Sequence, residues 1–172
     1  MQRLQTGYTL IEALIAILVM SIGLAGLGVF QVMTLQNTNN ANNRAMAIIA
    51  AESMADQIRS NLRGYEFGQF SNQMTTVNVA DCSNGCNPSQ MAQADVALWQ
   101  LNLARMLPDG RGIICMDGSD GQINDGEPGA EACSGNGQNV IKIFWRETAA
   151  ADGAGDNAEV NVWRAFGTPV YP

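Results

Sequence analysis

The strongest pattern in the chain is an apolar run near its N-terminus. Across residues 13–33 only Ser21 and Gln31 are polar, and no charged residue stands between Glu12 and Arg44. Twenty-one helical residues rise about 31 Å, close to the thickness of a bilayer's hydrocarbon core. The pattern therefore predicts a membrane-spanning helix over residues 8–35, with one carboxylate near its start.

Beyond this run the apolar positions keep a helical period but occupy one side only. Between residues 44 and 62 they recur at three- and four-residue steps: Ile48, Ala51, Ala55, Ile58 and Leu62. Residues 36–43 are polar and Asn-rich, hence poor helix formers, and a loop there is the alternative. We predict one long helix whose amphipathic half covers residues 36–63, with Gly64 as its stop.

Residues 64–172 predict a head domain with a second helix and a small sheet. Asn87, Pro88 and Gln90 have the spacing of a helix cap. Ala94, Leu98 and Leu101 would form the apolar stripe of this helix, widened by Trp99, Leu103 and Met106. Short strands are predicted at residues 74–79, 112–116, 140–147 and 159–166, the last two as a hairpin. The predicted fold is α+β, with an antiparallel sheet packed on the outer half of the long helix.

Composition narrows the function. The formal net charge is −7, and the nine basic residues are scattered, so nucleic acid is not an expected partner. The chain has no histidine, which removes the commonest general base and metal ligand. No nucleophile elbow, phosphate-binding loop or dinucleotide fingerprint occurs. The sequence therefore predicts a protein that is not an enzyme and has no cofactor.

The four cysteines predict disulfides. Cys82 and Cys86 are separated by three residues, and Cys115 and Cys133 by seventeen. Four cysteines allow three pairings, and nearest-neighbour pairing is the preferred one. A four-cysteine zinc site is the alternative, although the longer spacing does not fit its usual pattern.

The acidic loop at residues 117–127 resembles a calcium loop only in part. Aligned with an EF-hand, Asp120 and Glu127 fall at positions five and twelve, and Gly121 at position six. Positions one and three are Met116 and Gly118, which supply no side-chain oxygen. A solvated acidic turn is the simpler interpretation, with Asp120 and Glu127 as weak calcium candidates.

The short sequence motif around Glu12 resembles that of a known protein family. Gly7, Tyr8 and the run Thr9, Leu10, Ile11, Glu12 precede the uncharged helix, and this resembles the prepilin signal of type IV pilins and type II secretion pseudopilins. The resemblance implies a leader at residues 1–7, cleaved between Gly7 and Tyr8 by a prepilin peptidase that also N-methylates Tyr8. Many members carry Phe at that position, so Tyr8 departs mildly. Glu12 would then meet another subunit's terminal amine during assembly.

Segments of the head sharpen the resemblance. The runs MADQIRSN, QADVALWQLNLARMLPDGRG, VIKIFWRE and VWRAF resemble the PilV-type minor pilins of type IV pili. The resemblance implies a low-abundance subunit that joins other minor pilins and the major pilin, primes pilus assembly and presents a tip adhesin, with consequences for adhesion and twitching motility. A type II secretion pseudopilin, which normally lacks the LPxGxG turn, and an adhesive tip module are the alternatives.

The expected location follows from the same resemblance. The N-terminus would be cytoplasmic, the helix would cross the inner membrane among lipids, and the head would lie in the periplasm. The subunit would then enter the surface pilus through the inner-membrane assembly platform. An oxidising periplasm favours disulfides over free thiols.

Overall fold

A computed structural model describes residues 9–71, 82–83, 85–118, 133–150 and 159–171. Its elements are α1 Leu10–Ser60, α2 Leu62–Glu66, α3 Pro88–Met106, β1 Arg111–Asp117, β2 Gln138–Ala150 and β3 Glu159–Pro169. The chain divides into two compact units, Met1–Asn39 and Asn40–Pro172. The predicted α+β fold is confirmed, whereas the predicted strand at residues 74–79 lies outside the described residues.

The Asn-rich segment is helical, so α1 is continuous over 51 residues. Thr34, just before this segment, and Thr38, within it, donate hydrogen bonds from their hydroxyls to backbone carbonyls one turn earlier. Thr34 Oγ1 donates to Phe30 O at 2.9 Å, and Thr38 Oγ1 donates to Thr34 O at 2.8 Å. These local bonds keep the hydroxyls paired within the helix instead of competing with its backbone ladder. The loop alternative for residues 36–43 is therefore wrong.

The end of α1 differs from the prediction. The helix stops at Ser60, and Asn61 caps α2 by accepting a hydrogen bond from Gly64 N at 3.1 Å. The Asn61 amide also donates to Pro88 O at 2.7 Å, joining this corner to α3. Gly64 is buried inside α2, where a Cβ would lie 2.7 Å from Asn61 Nδ2. Gly64 is thus a packing glycine and not a helix stop.

The buried face of α1 is turned slightly from the predicted stripe. Ala51, Ala55 and Ile58 are buried as expected, but Ile48 is exposed and Leu62 lies exposed in α2. Other small residues and one methionine complete the face: Ala47, Ala50 and Met54. This face belongs to the core cluster that also contains α3 and one face of the sheet.

The predicted cap of α3 is confirmed, and its predicted apolar stripe is right in part: Ala94, Trp99 and Leu103 are buried as expected. Gln90 N donates to Asn87 Oδ1 at 2.9 Å, and Asn87 N donates to Gln90 Oε1 at 3.1 Å, which forms a capping box. Leu98 and Leu101 are about half exposed, and Met106 is also exposed. The buried row runs at four- and three-residue steps through Ala92, Val96, Trp99 and Leu103, so it is centred on the side of the predicted stripe.

The sheet is antiparallel in the order β1-β2-β3. Ile141, Ile143 and Trp145 face the main core with Ile114 of β1, as the alternation predicts. Val170, just after β3, joins the same cluster. The opposite face carries a smaller cluster, in which Ile113, Cys115 and Phe144 pack with Trp163. The main core therefore lies between this sheet and the helices α1 and α3.

Candidate functional site

The first unit exposes its apolar side chains on every side. Its large apolar residues from Leu10 to Leu35 are 56–80% exposed. This part of α1 is long and apolar enough to cross a membrane, with a mean hydropathy of 2.5 and none of the most apolar stretch buried within the chain. Exposing so much apolar area to water is unfavourable by about 25 cal/mol for each Å². A lipid bilayer or helices of other chains would remove that cost.

The polar groups of this segment suit an apolar surrounding. The Ser21 hydroxyl donates to Ile17 O at 2.8 Å, one turn earlier. A helix satisfies its own backbone groups, and this bond also satisfies the hydroxyl. The segment therefore carries Ser21 without leaving an unpaired donor in the hydrocarbon.

Glu12 lies in the first turn of α1. The helix begins there with bonds from Glu12 N and Ala13 N to Thr9 O, at 3.0 and 3.4 Å. A carboxylate is favoured near a helix N-terminus because the free N–H groups carry partial positive charge. In the described part of the chain, no basic side chain forms an ion pair with Glu12. The carboxylate thus lies in the first turn of a helical segment that is otherwise uncharged up to Arg44.

Several candidate residues lie outside the described residues. Gly7 and Tyr8, at the expected cleavage bond, are among them, and so are the weak calcium candidates Asp120 and Glu127. Asp117, at the start of that loop, is the last residue of β1 and forms a buried ion pair with Lys142. Among the described segments, no group of three or more metal-ligating side chains occurs.

The cysteines are paired as nearest neighbours in the structure. Cys82 is bonded to Cys86, with Cα atoms 5.1 Å apart, and Cys115 to Cys133, with Cα atoms 6.1 Å apart. Because all four thiols are consumed, they are not zinc ligands in this structure. The second bond joins Cys115 of β1 to Cys133 across a sequence separation of 18, and both residues belong to the smaller cluster on the sheet face opposite the main core.

The turn after α3 has a geometry that its sequence requires. Asp109 has a φ of 52°, and Gly110 N donates to Leu107 O at 3.0 Å. A Cβ at Gly110 would collide with the carbonyl of Leu103, and one at Gly112 would collide with the Trp99 ring. The turn is fixed to β2 because Arg146 N donates to Pro108 O at 2.9 Å. Both glycines of residues 107–112 are therefore demanded by packing.

Sequence patterns did not reveal two polar arrangements in the head. In the first, Lys142 pairs with Asp117 while both side chains are at most 6% exposed. In the second, the Glu147 carboxylate accepts from Trp145 Nε1 at 2.7 Å and lies 3.3 Å from Arg164 Nε. The only signal for the first was a single lysine between apolar strand residues. Neither arrangement could be deduced without knowing the strand register.

The comparisons with known proteins agree with the geometry at the N-terminus. Residues 2–28 match the family model of the prokaryotic N-terminal methylation motif. No curated protein and no solved structure gives a significant match. The match supports a type IV pilin-like protein, that is, a pilin or pseudopilin-like structural subunit. Such a signal implies processing by prepilin peptidase and assembly with other pilins, and it fits an inner-membrane anchor.

Proposed function

We propose that this chain is a PilV-type minor pilin, which primes type IV pilus assembly with other minor pilins and helps to present a tip adhesin. Cleavage after Gly7 would leave Tyr8 as the N-methylated first residue. The membrane half of α1 would anchor the subunit until the assembly platform moves it into the fibre.

The observation that carries this proposal is the position of Glu12. It stands in the first turn of α1, whose large apolar side chains from Leu10 to Leu35 are exposed and would be covered by molecules outside the chain. A buried carboxylate without a partner is strongly unfavourable, whereas a nearby amine offsets that cost and fixes register. The N-terminal amine created by cleavage of a neighbouring subunit is a suitable cation.

The turn at residues 107–112 supports a pilus subunit over a secretion pseudopilin. Its glycines pack closely against Leu103 and Trp99. The sequence of the same turn resembles that of PilV-type pilins. The methylation motif is shared by both classes and does not separate them.

Deletion of the gene tests the proposal. We expect electron microscopy to show far fewer surface pili in the deletion strain, while secretion of type II substrates into the medium stays unchanged. Complementation with the wild-type gene should restore the fibres. Normal piliation with lost secretion would indicate the pseudopilin alternative, and normal fibres with lost attachment would indicate an adhesive module.

A further inference from the structure

The second unit contains a groove of about 590 Å³. It lies between residues 40–44 of α1 and the strands β2 and β3. Its polar lining consists of Asn40, Arg44, Glu147 and Arg164, with Trp145 and two alanines completing the walls. The groove is therefore a mainly polar concavity on the head.

One wall of the groove is a fixed network. The Glu147 side chain is only 9% exposed, and it holds both Trp145 Nε1 at 2.7 Å and Arg164 Nε at 3.3 Å. Trp145 itself is 3% exposed, so the network is continuous with the core. A wall whose side chains are held by hydrogen bonds and packing is preorganised, which lowers the cost of binding a partner.

Arg44 supplies the charge that this network lacks. It is exposed, and in the described part of the chain it forms no ion pair. Counting Arg44 and Arg164 against Glu147, the described residues of the lining carry a net charge of +1 within a chain of −7. An Arg guanidinium matches a carboxylate geometrically, and the Asn40 amide can add a neutral donor.

We propose that this groove binds an acidic segment of a partner protein, with a carboxylate of that segment held by Arg44 and Asn40 against the Glu147–Arg164 wall. The charge of the lining matches one carboxylate. An anionic membrane surface is a poorer occupant, because such surfaces are read by clusters of basic residues. A single unpaired arginine on an acidic chain is not such a cluster.

The test uses the full chain in detergent micelles and a fluorescent peptide of alternating Asp and Gly, with an Asn/Gly peptide of equal length as its control. We expect fluorescence anisotropy to show that the Asp peptide binds at least about tenfold more tightly than the control peptide. One hydrogen bond to a charged group is enough to change the dissociation constant by about that factor. Arg44→Gln should weaken binding about tenfold, and Arg44→Lys less. Binding should fall as salt rises.

Arg105→Gln is the matched control, because Arg105 is exposed on α3 and does not line the groove. It should leave the affinity within about twofold of wild type, while unchanged melting curves show that both glutamine variants are folded. Equal affinity for the two peptides, or equal effects of Arg44→Gln and Arg105→Gln, would overturn the proposal. So would an Arg44 dependence seen only with phosphatidylglycerol vesicles, which would assign the groove to lipid. None of these outcomes bears on the piliation test of the proposed function.

Discussion

The two parts of α1 differ in how much of their apolar surface is buried within the chain. Residues 10–35 project large apolar side chains in all directions, and none packs against the chain's own core. Farther along, the buried face is narrow and mostly alanine, with Met54 and Ile58 as its larger members. The first part therefore depends on molecules outside the chain, and the second on the head domain.

Small side chains on the second part have a structural purpose. Trp99 Nε1 donates to Ala50 O at 3.0 Å, which requires the indole of α3 to approach the backbone of α1 closely. A larger side chain on the adjoining helix surface would hold the ring away. The contrast teaches that uniform hydrophobicity indicates an external partner, whereas alternating small and polar residues indicate an internal one.

The largest expected effect comes from Gly7→Val, at the proposed cleavage bond that precedes the exposed part of α1 in sequence. The prepilin peptidase site suits glycine before the scissile bond, so the bulkier residue should leave nearly all of the protein as full-length precursor in the membrane. N-terminal sequencing of the wild type should begin at Tyr8. Gly23→Val is the matched control, because a Cβ there meets nothing within 4 Å, and it should be processed normally. A wild-type start at any other residue would contradict the prepilin assignment.

The next effect concerns the packed part, where Lys142→Met leaves the Asp117 carboxylate buried without its cation. Breaking a buried pair in this way should lower the free energy of unfolding by about 3–5 kcal/mol. Chemical denaturation followed by tryptophan fluorescence measures the loss. The double variant Lys142→Met/Asp117→Leu should recover most of it. A double variant as unstable as the single one would show that the pair is not the source of the effect.

A direct comparison of the two parts of α1 is provided by Met54→Ala and Leu18→Ala. Met54 is fully buried, so its truncation should cost about 2–5 kcal/mol of head-domain stability. Leu18 is 61% exposed, so its truncation should change unfolding of the head by less than about 0.5 kcal/mol. Similar losses in both variants would mean that the apolar half contributes to the head's core after all.

The smallest effect comes from Asp95→Asn on α3. Partial burial raises the pKa of the Asp95 carboxyl above its ordinary value of 3.8. Ionisation therefore costs the folded state stability at neutral pH, and that cost disappears below the unfolded pKa. The variant should melt slightly higher than the wild type at pH 7 and equally at pH 3. Glu52→Gln, an exposed change on α1, serves as the control; an equal rise there would remove burial as the cause.

Sequence periodicity predicted the elements of the head better than their buried faces. The capping box at Asn87 and the strands β1, β2 and β3 can be predicted from the sequence because their signals are local. On α3 the hydrophobicity of Leu98 and Leu101 favours a stripe centred on them. The structure turns Trp99 and Leu103 inward instead, since the large indole fits between α1 and the sheet. Such choices depend on neighbours distant in sequence.

The packing role of Gly64 and the ion pairs of the head are harder still to predict from the sequence. Glycine often ends helices, so the sequence predicts Gly64 as a stop, but its small size instead allows the close contact with Asn61 and Ala92. Lys142 joins Asp117 across 25 residues, and Glu147 reaches Arg164 across 17. Neither pair has a local signal. By contrast, the proposed site at Gly7, Tyr8 and Glu12 is contained in six consecutive residues, and sequence alone sufficed to propose it.

The central claim is that Glu12 pairs with a neighbouring subunit's amine when the apolar half leaves the membrane. Copurification of Glu12→Ala with the other minor pilins from solubilised membranes tests it most directly. We predict that this variant is cleaved after Gly7 and inserted normally, because neither step needs the carboxylate, yet loses the other minor pilins and most surface pili. Glu12→Gln should be intermediate, since it keeps a hydrogen-bonding group without the charge. A Glu12→Ala protein that is processed, complexed and piliated like the wild type would contradict the pairing mechanism.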